Sequence, residues 1–314
     1  MKRLVLRKCF FAMVVALLVC LVSCQTQPSS PIQPSNHVSP TQTPVKPTPG
    51  THQQLIAEQA PFDGTDTLYF SISEVGLQDV YICDASSDSV HLDQGIHGQV
   101  LLLGDDGKSR SSIAQHYLAV LSEGMIRVLD LSMTDIQYFY GGSLEVCDID
   151  GDRDVEILLQ QAVGLVGGAG NYLSRVFDYR NGTIIERFSS DTFFQEHGQD
   201  LGFSITLLKD QQFTICNERL DYNETFTLTN RDEDYFKWWC NEEGEISNRT
   251  MMVDSFYVFS PMDTDWDGVY EIACKQYASL VGHADGIGAV RTLLRYNTEL
   301  GKFEIVQGDF EVYG

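Results

Sequence analysis

The sequence predicts an all-β protein built from antiparallel meanders, and three observations support this fold class. From Thr65 onward, apolar residues occur in short continuous or alternating runs, and helical periodicity is rare. Turn signals rich in Gly, Asn and Asp separate these runs. In addition, a stretch of about twenty residues occurs twice, 115 positions apart. A strand-rich unit that recurs at constant spacing indicates internal duplication.

Five apolar runs in the first part of the chain predict strands. They are Thr67–Ile72, Asp79–Cys83, Gln99–Leu103, Tyr117–Leu121 and Met125–Leu129. The last two runs flank Glu123-Gly124, which is typical of a hairpin turn. By contrast, Asp105-Asp106-Gly107 has no further acidic partners and is interpreted as a simple turn.

Two matching units lie in the rest of the chain, and each contains an acidic loop, a strand, a Gly-containing loop and a hairpin. The predicted strands of the first unit are Ile157–Gln160, Ser174–Tyr179 and Thr183–Glu186, and those of the second follow Ile272 at Val290–Tyr296 and Lys302–Val306. Between the units, strands are predicted at Gly202–Leu208, Gln212–Cys216 and Thr225–Leu228. Asn181-Gly182 and Leu300-Gly301 are the predicted hairpin turns.

The acidic loops have carboxylates at positions 1, 3, 5 and 9. These residues are Asp148, Asp150, Asp152 and Glu156 in the first loop, and Asp263, Asp265, Asp267 and Glu271 in the second. Carboxylates on alternate residues of a tight loop can converge on one point, and a hard divalent cation with six to eight oxygen ligands offsets their repulsion. The sequence therefore predicts two calcium sites, with a pair of solvated acidic turns as the alternative.

The loops do not fit an EF-hand, because position 12, which should provide a bidentate carboxylate, is Leu159 in one and Cys274 in the other. Instead, Tyr140–Leu159 resembles the FG-GAP or VCBS repeat of integrin-alpha-like propellers. In that repeat an aromatic-Gly pair and a short strand precede a D-x-D-G-D-G-x-x-D/E loop and an apolar strand. The resemblance implies a propeller-like array of about four blades, complete or incomplete, with calcium loops between strands. A sandwich-like arrangement of the same meanders is the alternative.

The resemblance also implies the ligands of each calcium ion. In the first loop these are Asp148, Asp150, Asp152 and Glu156 with the carbonyl of Asp154, and in the second Asp263, Asp265, Asp267 and Glu271 with the carbonyl of Val269. Two departures from the family pattern are Arg153 and Trp266, which stand where the family has glycine. Because glycine tolerates positive φ, either residue is expected to strain the backbone or to weaken calcium affinity.

The N-terminus resembles a bacterial lipoprotein signal peptide. Residues 1–23 combine a basic start with the apolar run Cys9–Val22, and Leu21–Cys24 has the lipobox pattern. This resemblance implies cleavage before Cys24 and attachment of lipid to its sulfur, with a transmembrane anchor as the alternative, although the apolar run is short for a span. Residues 24–54 are rich in Pro, Ser, Thr and Gln and predict a tether, followed by a globular domain at 55–314.

Charge and cysteine content narrow the function further. The chain carries a formal charge of −23 with 44 acidic and 21 basic residues, which excludes nucleic acid as a partner. Beyond Cys24 the cysteines are Cys83, Cys147, Cys216, Cys240 and Cys274, an odd number without C-x-x-C spacing. Cys147 and Cys274 flank the acidic loops and are interpreted as buried structural thiols. A Cys216–Cys240 disulfide is compatible with an exported protein.

Two further segments contain candidate ligand-contacting residues. His283 and Asp285 lie in the Gly-rich turn Gly282–Gly288, where the other copy has no His or Asp; a surface turn with a salt bridge to Arg291 is the alternative. The aromatic run Tyr235–Cys240 is interpreted as a strand that presents Trp238 and Trp239 on opposite faces, one in the core and the other available to stack on a sugar ring.

These features predict a lipid-anchored, extracytoplasmic module that binds a glycan or protein ligand and in which two calcium ions are structural. The alternatives are a calcium-dependent polysaccharide-degrading enzyme and a structural or assembly lipoprotein of the envelope. No catalytic residue is predicted, because the sequence has no G-x-S-x-G, H-E-x-x-H or C-x-x-C motif.

Overall fold

The computed structural model describes residues 69–72, 77–87, 89–105, 115–131, 139–163, 171–208, 211–229, 231, 233–237, 251–280 and 282–313. The predicted signal peptide, Cys24, the tether, Trp238, Trp239 and Cys240 lie outside these residues. The described chain consists mainly of strands in four antiparallel sheets, which confirms the all-β prediction. In this part of the chain, no helix has both the length and the apolar character needed to cross a membrane.

The first sheet has six strands, and its central strands are buried on both faces. The strands are β1 (Tyr69–Ile72), β2 (Leu77–Ala85), β3 (Val90–Asp93), β4 (Ile96–Asp105), β5 (Gln115–Ser122) and β6 (Met125–Asp130), in the order β1-β2-β4-β5-β6 with β3 beside β4. In β4, Val100 and Leu102 join one apolar cluster while Leu101 and Leu103 join another. Alternate side chains of a strand point to opposite faces, so this continuous apolar run is buried on both sides.

The second and fourth sheets are four-stranded meanders with the same design. The second contains β7 (Phe139–Cys147), β8 (Glu156–Val163), β9 (Tyr172–Arg180) and β10 (Thr183–Ser189), and the fourth contains β14 (Met252–Met262), β15 (Glu271–Ser279), β16 (Gly286–Asn297) and β17 (Lys302–Val312). Cys147 pairs with Glu156 across the first acidic loop, and Met262 pairs with Glu271 across the second. These pairs are related by the spacing of 115, so the duplicated sequence adopts a duplicated register.

The third strands of these two sheets differ by two residues in their pairing. Ile157 of β8 lies opposite Phe177, whereas Ile272 of β15 lies opposite Leu294. The second copy therefore contains two extra residues between its second and third strands. Because two is an even number, every side chain keeps the same face of the sheet despite the insertion.

The third sheet and the helices separate the two meanders in the chain. The sheet contains β11 (Ser204–Leu207), β12 (Gln212–Asn217) and β13 (Tyr222–Thr227), the helices are α1 (Ser190–His197) and α2 (Glu233–Lys237), and a 3₁₀ turn covers Glu218–Leu220. The interpretation of Tyr235–Cys240 as a strand was wrong for its described residues, because Tyr235, Phe236 and Lys237 belong to α2. The short helix α1 was also not predicted; it begins at Ser190 with Asp191 in its first turn and is followed by Gly198 at φ 82°.

Packing brings the sheets together in pairs. Ile157 and Leu159 of β8 share an apolar cluster with Leu102 and other residues of the first sheet. Leu158, which points to the opposite face, joins a larger cluster with residues of α1 and of the third and fourth sheets, including Phe256. The second sheet is thus buried between the first sheet and the fourth, and this arrangement fixes the positions of both acidic loops.

Candidate functional site

The two acidic loops share most of their hydrogen bonds at equivalent positions, although the N–H of the fifth residue donates to Asp150 in the first loop and to Asp263 in the second. In the first, Asp148 accepts the N–H groups of Gly151 (2.7 Å) and Arg153 (2.9 Å). In the second, Asp263 accepts the corresponding N–H groups of Trp266 (2.6 Å) and Gly268 (3.0 Å). A carboxylate that accepts main-chain N–H groups three and five residues ahead holds the chain in a compact turn, so the first Asp of each loop organises its backbone.

The later parts of the loops also agree. The N–H of Asp154 donates to Asp152 (3.0 Å), and that of Val269 donates to Asp267 (2.8 Å). Glu156 accepts the N–H of Ile149 (2.7 Å). In the second loop the equivalent acceptor, Glu271, receives the N–H of Thr264 (3.3 Å) and also its hydroxyl (2.7 Å). The final Glu therefore closes each loop back onto its second residue.

Each loop has left-handed backbone at the same two positions. Gly151 and Arg153 have φ of 83° and 76°, and the equivalent Trp266 and Gly268 have φ of 65° and 90°. The strain expected at Arg153 and Trp266 is therefore present, since residues with a Cβ adopt this conformation at a cost. Trp266 gains little burial in return, because it is 85% exposed.

The structure brings together part of each predicted ligand set. Carboxylate oxygens of Asp148, Asp150 and Glu156 lie within 4.8 Å of one another, as do those of Asp263, Asp265 and Asp267. Asp152 and Glu271 are outside these groups. The side chain of Asp154 accepts the N–H of Gln94 (2.9 Å), so it points away from the loop, as expected for a residue predicted to contribute only its carbonyl.

Two arginines that the sequence analysis missed contact the acidic loops. Arg180, at the end of β9, donates to both Asp150 and Asp152 at 3.0 Å. Arg295, on the equivalent strand β16, pairs with Glu271 through its Nε at 2.8 Å. Because both arginines lie on the third strand of their own meander, only the strand order brings them to the loop. The two arginines are 115 positions apart in sequence, but because the second copy has two extra residues before its third strand, Arg295 lies two register positions earlier than Arg180.

Electrostatics favours a cation at the first loop. Glu156 is 4% exposed, and burial, reinforced by Asp150, Asp178 and Asp152, raises its pKa to about 8, although the N–H of Ile149 opposes this shift. Burial also raises the pKa of Asp150, to which the neighbouring Asp152 contributes. A cavity of about 10 Å³ borders both Asp150 and Glu156. Their carboxylates are thus held in a region where an additional positive charge is favourable.

The loops of the two meanders touch each other. The N–H of Tyr270, in the second loop, donates to the carbonyl of Asp148, in the first, at 2.8 Å. The same kind of bond joins the first loop to the first sheet, from Val155 to the carbonyl of His91 (2.8 Å). The acidic loops therefore lie in a row at one end of the sheets.

The predicted ligand residues of the Gly-rich turn have different surroundings. Both carboxylate oxygens of Asp285 are engaged, one by Arg231 (2.9 Å) and the other by the hydroxyl of Tyr235 (2.7 Å). The alternative salt bridge between Asp285 and Arg291 is not formed, because Arg291 contacts Asp309 instead. Asp285 thus anchors α2. By contrast, His283 lines a cleft of about 390 Å³, with its Nδ1 3.2 Å from Asp254.

The cysteine predictions are confirmed where the structure describes them. Cys147 and Cys274 are buried free thiols, and burial raises the pKa of both. Cys83 is also free, and burial raises its pKa to about 12. Cys216 is a free thiol 3.1 Å from the hydroxyl of Ser204, so the considered Cys216–Cys240 disulfide is not formed. Thiols with such raised pKa values are unreactive at neutral pH.

These observations define the class: an all-β protein with a duplicated four-stranded meander, in which each copy has an acidic, oxygen-rich loop between its first two strands. Residues 201–311 match a family model described as the YybI C-terminal domain. The chain is 26% identical over 159 residues to a protein of Bacillus subtilis (strain 168) described as "Uncharacterized protein YybI". That alignment covers 50% of this chain and 58% of the relative, less than two thirds of its length. No solved structure matches the chain.

The region matched by the family model includes the third sheet, the second acidic loop and most of the fourth sheet, but not the first acidic loop. The duplication observed here therefore extends beyond the matched segment.

Proposed function

We propose that the two acidic loops bind calcium and that the protein is a lipid-anchored, extracytoplasmic module with a propeller-like arrangement of its four sheets. One observation carries the calcium proposal: the loops share most of their hydrogen bonds and both left-handed positions, although glycine occupies a different one of these positions in each copy. The same turn forms in both copies although the residues at its left-handed positions differ. In each copy this turn places several carboxylates close together.

The donor chemistry fits calcium. The candidate ligands are carboxylates and main-chain carbonyls, which are the hard oxygen donors that calcium prefers. Asp148, Asp150 and Glu156 would hold one ion, and Asp263, Asp265 and Asp267 the other. Asp152 and Glu271 would complete the two ligand sets if calcium displaced the arginines that now contact them, Arg180 and Arg295. A bound ion would favour the ionised form of Glu156, whose pKa is raised by burial and, to a lesser extent, by the neighbouring carboxylates.

Calcium is structural in this proposal. Each ion would join the end of one strand to the start of the next, from β7 to β8 and from β14 to β15. A site held at ten times its dissociation constant adds about 1.4 kcal/mol to the free energy of unfolding. Two such sites contribute noticeably to a domain whose net stability is typically about 5–15 kcal/mol.

The wider proposal rests on the sheet packing and the N-terminus. The face-to-face burial of the second sheet and the row of loops at one end support a propeller-like arrangement. The lipobox at Leu21–Cys24 supports a lipid anchor at Cys24, and the tether would hold the domain away from the membrane. A repeated, acidic, calcium-loaded module of this kind suits adhesion or binding of a glycan or protein ligand.

The test is calorimetric titration of the full chain with calcium, together with thermal unfolding in chelator and in millimolar calcium. We expect two sites in the parent, one in Asp150→Asn, one in Asp265→Asn and none in the double variant. Calcium should raise the unfolding midpoint of the parent most. Glu299→Gln, which removes an exposed carboxylate outside the loops, is the control and should behave like the parent. Absence of calcium heat in the parent, with an unchanged midpoint, would leave the loops as acidic turns.

A further inference from the structure

A cleft lies at the end of the second and fourth sheets that is opposite the acidic loops. Val163 at the end of β8, Tyr172 at the start of β9 and Val253 near the start of β14 border it. Helix α1, its connection to the third sheet and the turn after β15 also contribute lining residues. At about 390 Å³, the cleft is within the usual size range of small-molecule sites.

A bulge in β14 presents polar groups to this cleft. The pairing of β14 with β15 shifts register between Val253 and Phe256, so Asp254 and Ser255 lie in the irregular segment. Bulges re-aim side chains and are common beside functional sites. The other copy also has a bulge, displaced by one residue along the repeat, between Phe139 and Gly142. There, aromatic residues stand at the positions of Asp254 and Ser255, so the fold of the bulge does not require a carboxylate.

Asp254 forms an unusual pair with His283. Its Oδ2 lies 3.2 Å from the imidazole Nδ1, close enough for an ion pair, yet this buried oxygen has no hydrogen-bond partner of acceptable geometry. The Asp254 side chain is only 15% exposed, and burial raises its pKa, although His283 opposes this shift. The other copy has Gly168 at the position of His283, so the duplicated frame does not require the imidazole either. A partly buried carboxylate with such weak compensation is costly unless a cation approaches it.

Among the described lining residues, the carboxylates outnumber the basic groups. Asp191, in the first turn of α1, adds a second carboxylate, and none of the described lining residues is a lysine or arginine. Arg175, on β9, is 3.7 Å from Glu186, and both Glu186 and Asp191 act electrostatically on it, so Asp191 is partly compensated while Asp254 is not. Tyr172 and Phe194 contribute aromatic rings to the same cleft. Carboxylates combined with aromatic faces favour an organic ammonium group, which is attracted to both.

We propose that this cleft binds a small organic cation with a primary ammonium group, for which Asp254 is the counter-ion and Asp191 a second acidic contact. The net charge of −23 adds a long-range attraction for such a ligand. His283 would then act as a gate that occupies Asp254 when the ligand is absent. The proposal is independent of calcium binding, because the cleft and the acidic loops are at opposite ends of the sheets.

The experiment titrates the full chain, in millimolar calcium, with three probes of similar length: 1,4-diaminobutane, 1,4-butanediol and succinate. Excess calcium keeps the diamine from the acidic loops. We expect one diamine to bind per chain, and neither the diol nor succinate to bind. Asp254→Asn should weaken diamine binding at least tenfold and Asp191→Asn by a smaller factor. Glu299→Gln removes the same charge at the opposite end and should change affinity less than twofold.

His283→Gln separates the proposal from a site for neutral sugars. If the imidazole only occupies Asp254, the variant should bind the diamine at least as tightly as the parent. If the imidazole instead contacts a hydroxyl of a bound sugar, its removal should weaken ligand binding. The proposal is overturned if the diamine does not bind, if Asp254→Asn and Asp191→Asn both bind it like the parent, or if the diol binds as well as the diamine. Should Asp254→Asn fail to fold, Asp191→Asn and His283→Gln still decide the outcome.

Discussion

The left-handed backbone of the acidic loops can be tested with a matched pair of glycine substitutions. Gly268 has φ of 90°, and a Cβ built there meets no atom within 4 Å. Gly282, in the turn after β15, also has open space around a Cβ but is not in the left-handed region. Replacing each by alanine therefore adds the same methyl group without a clash, and only the backbone conformation differs.

The expected magnitudes follow from that difference. An L-residue in the left-handed region costs roughly 1–2 kcal/mol. Alanine also restricts the unfolded chain, which stabilises by about 0.4–1 kcal/mol where the native conformation suits it. Gly282→Ala should then be neutral or slightly stabilising, while Gly268→Ala should destabilise by about 1 kcal/mol. Gly151→Ala should cost somewhat more, because its Cβ would lie 3.3 Å from Val269.

The assay is urea unfolding in chelator, so that any effect on ion binding is absent. For a domain of this size, 1 kcal/mol also corresponds to a change of about 2–4 °C in the thermal midpoint. If Gly268→Ala and Gly282→Ala had equal stabilities within about 0.3 kcal/mol, the loop would not adopt the described conformation in solution. The argument for a repeated turn geometry would then lose its basis.

Two further predictions concern charged groups. His116 is fully buried, and burial lowers its pKa to about 4, so it stays neutral in the folded protein while the unfolded chain takes up a proton below pH 6.5. The contribution of neutral His116 to the free energy of unfolding is therefore complete above pH 6.5. It is lost as the pH falls towards 4, by up to about 3 kcal/mol. Unfolding curves across this range should be less pH-dependent for His116→Asn than for the parent, and equal dependence would contradict the assignment. Separately, Arg180→Met should raise the calcium affinity of the first loop about fivefold, since two half-exposed ion pairs are worth about 1 kcal/mol together. Calorimetry would show the opposite sign if Arg180 instead holds the loop ready for the ion.

The strand pattern and the acidic loops could be read from sequence because they depend on local spacing. Runs such as Gln99–Leu103 alternate between two buried faces, and the turn at Asn181-Gly182 has positive φ at both residues, as the hairpin signal required. Carboxylates at alternate positions and the equivalence of Asp148 with Asp263 likewise need no knowledge of tertiary structure. The backbone strain at Arg153 and Trp266 was also predictable, because the family pattern has glycine at these positions of the loop.

The helices and the polar contacts were harder to predict. In α2, Tyr235 and Phe236 are aromatic residues that favour strands, but the helix is fixed by Asp285, fifty positions away, which accepts the Tyr235 hydroxyl. Tertiary contact thus overrides local propensity there. Tertiary structure also rules out the salt bridge to Arg291 that was the alternative for Asp285, because strand pairing places Arg291 opposite Asp309.

By itself, then, the sequence determined the all-β class, the duplicated unit and the two acidic loops, because each follows from short local patterns and from the spacing at which they recur. Only the tertiary structure decided which cations face those loops, since strand order brings Arg180 and Arg295 to them. It also decided that Asp254 and His283 meet in one cleft. Asp254 lies near the start of β14, whereas His283 lies in the turn after β15. The two residues meet because β14 pairs with β15 and has a bulge that includes Asp254.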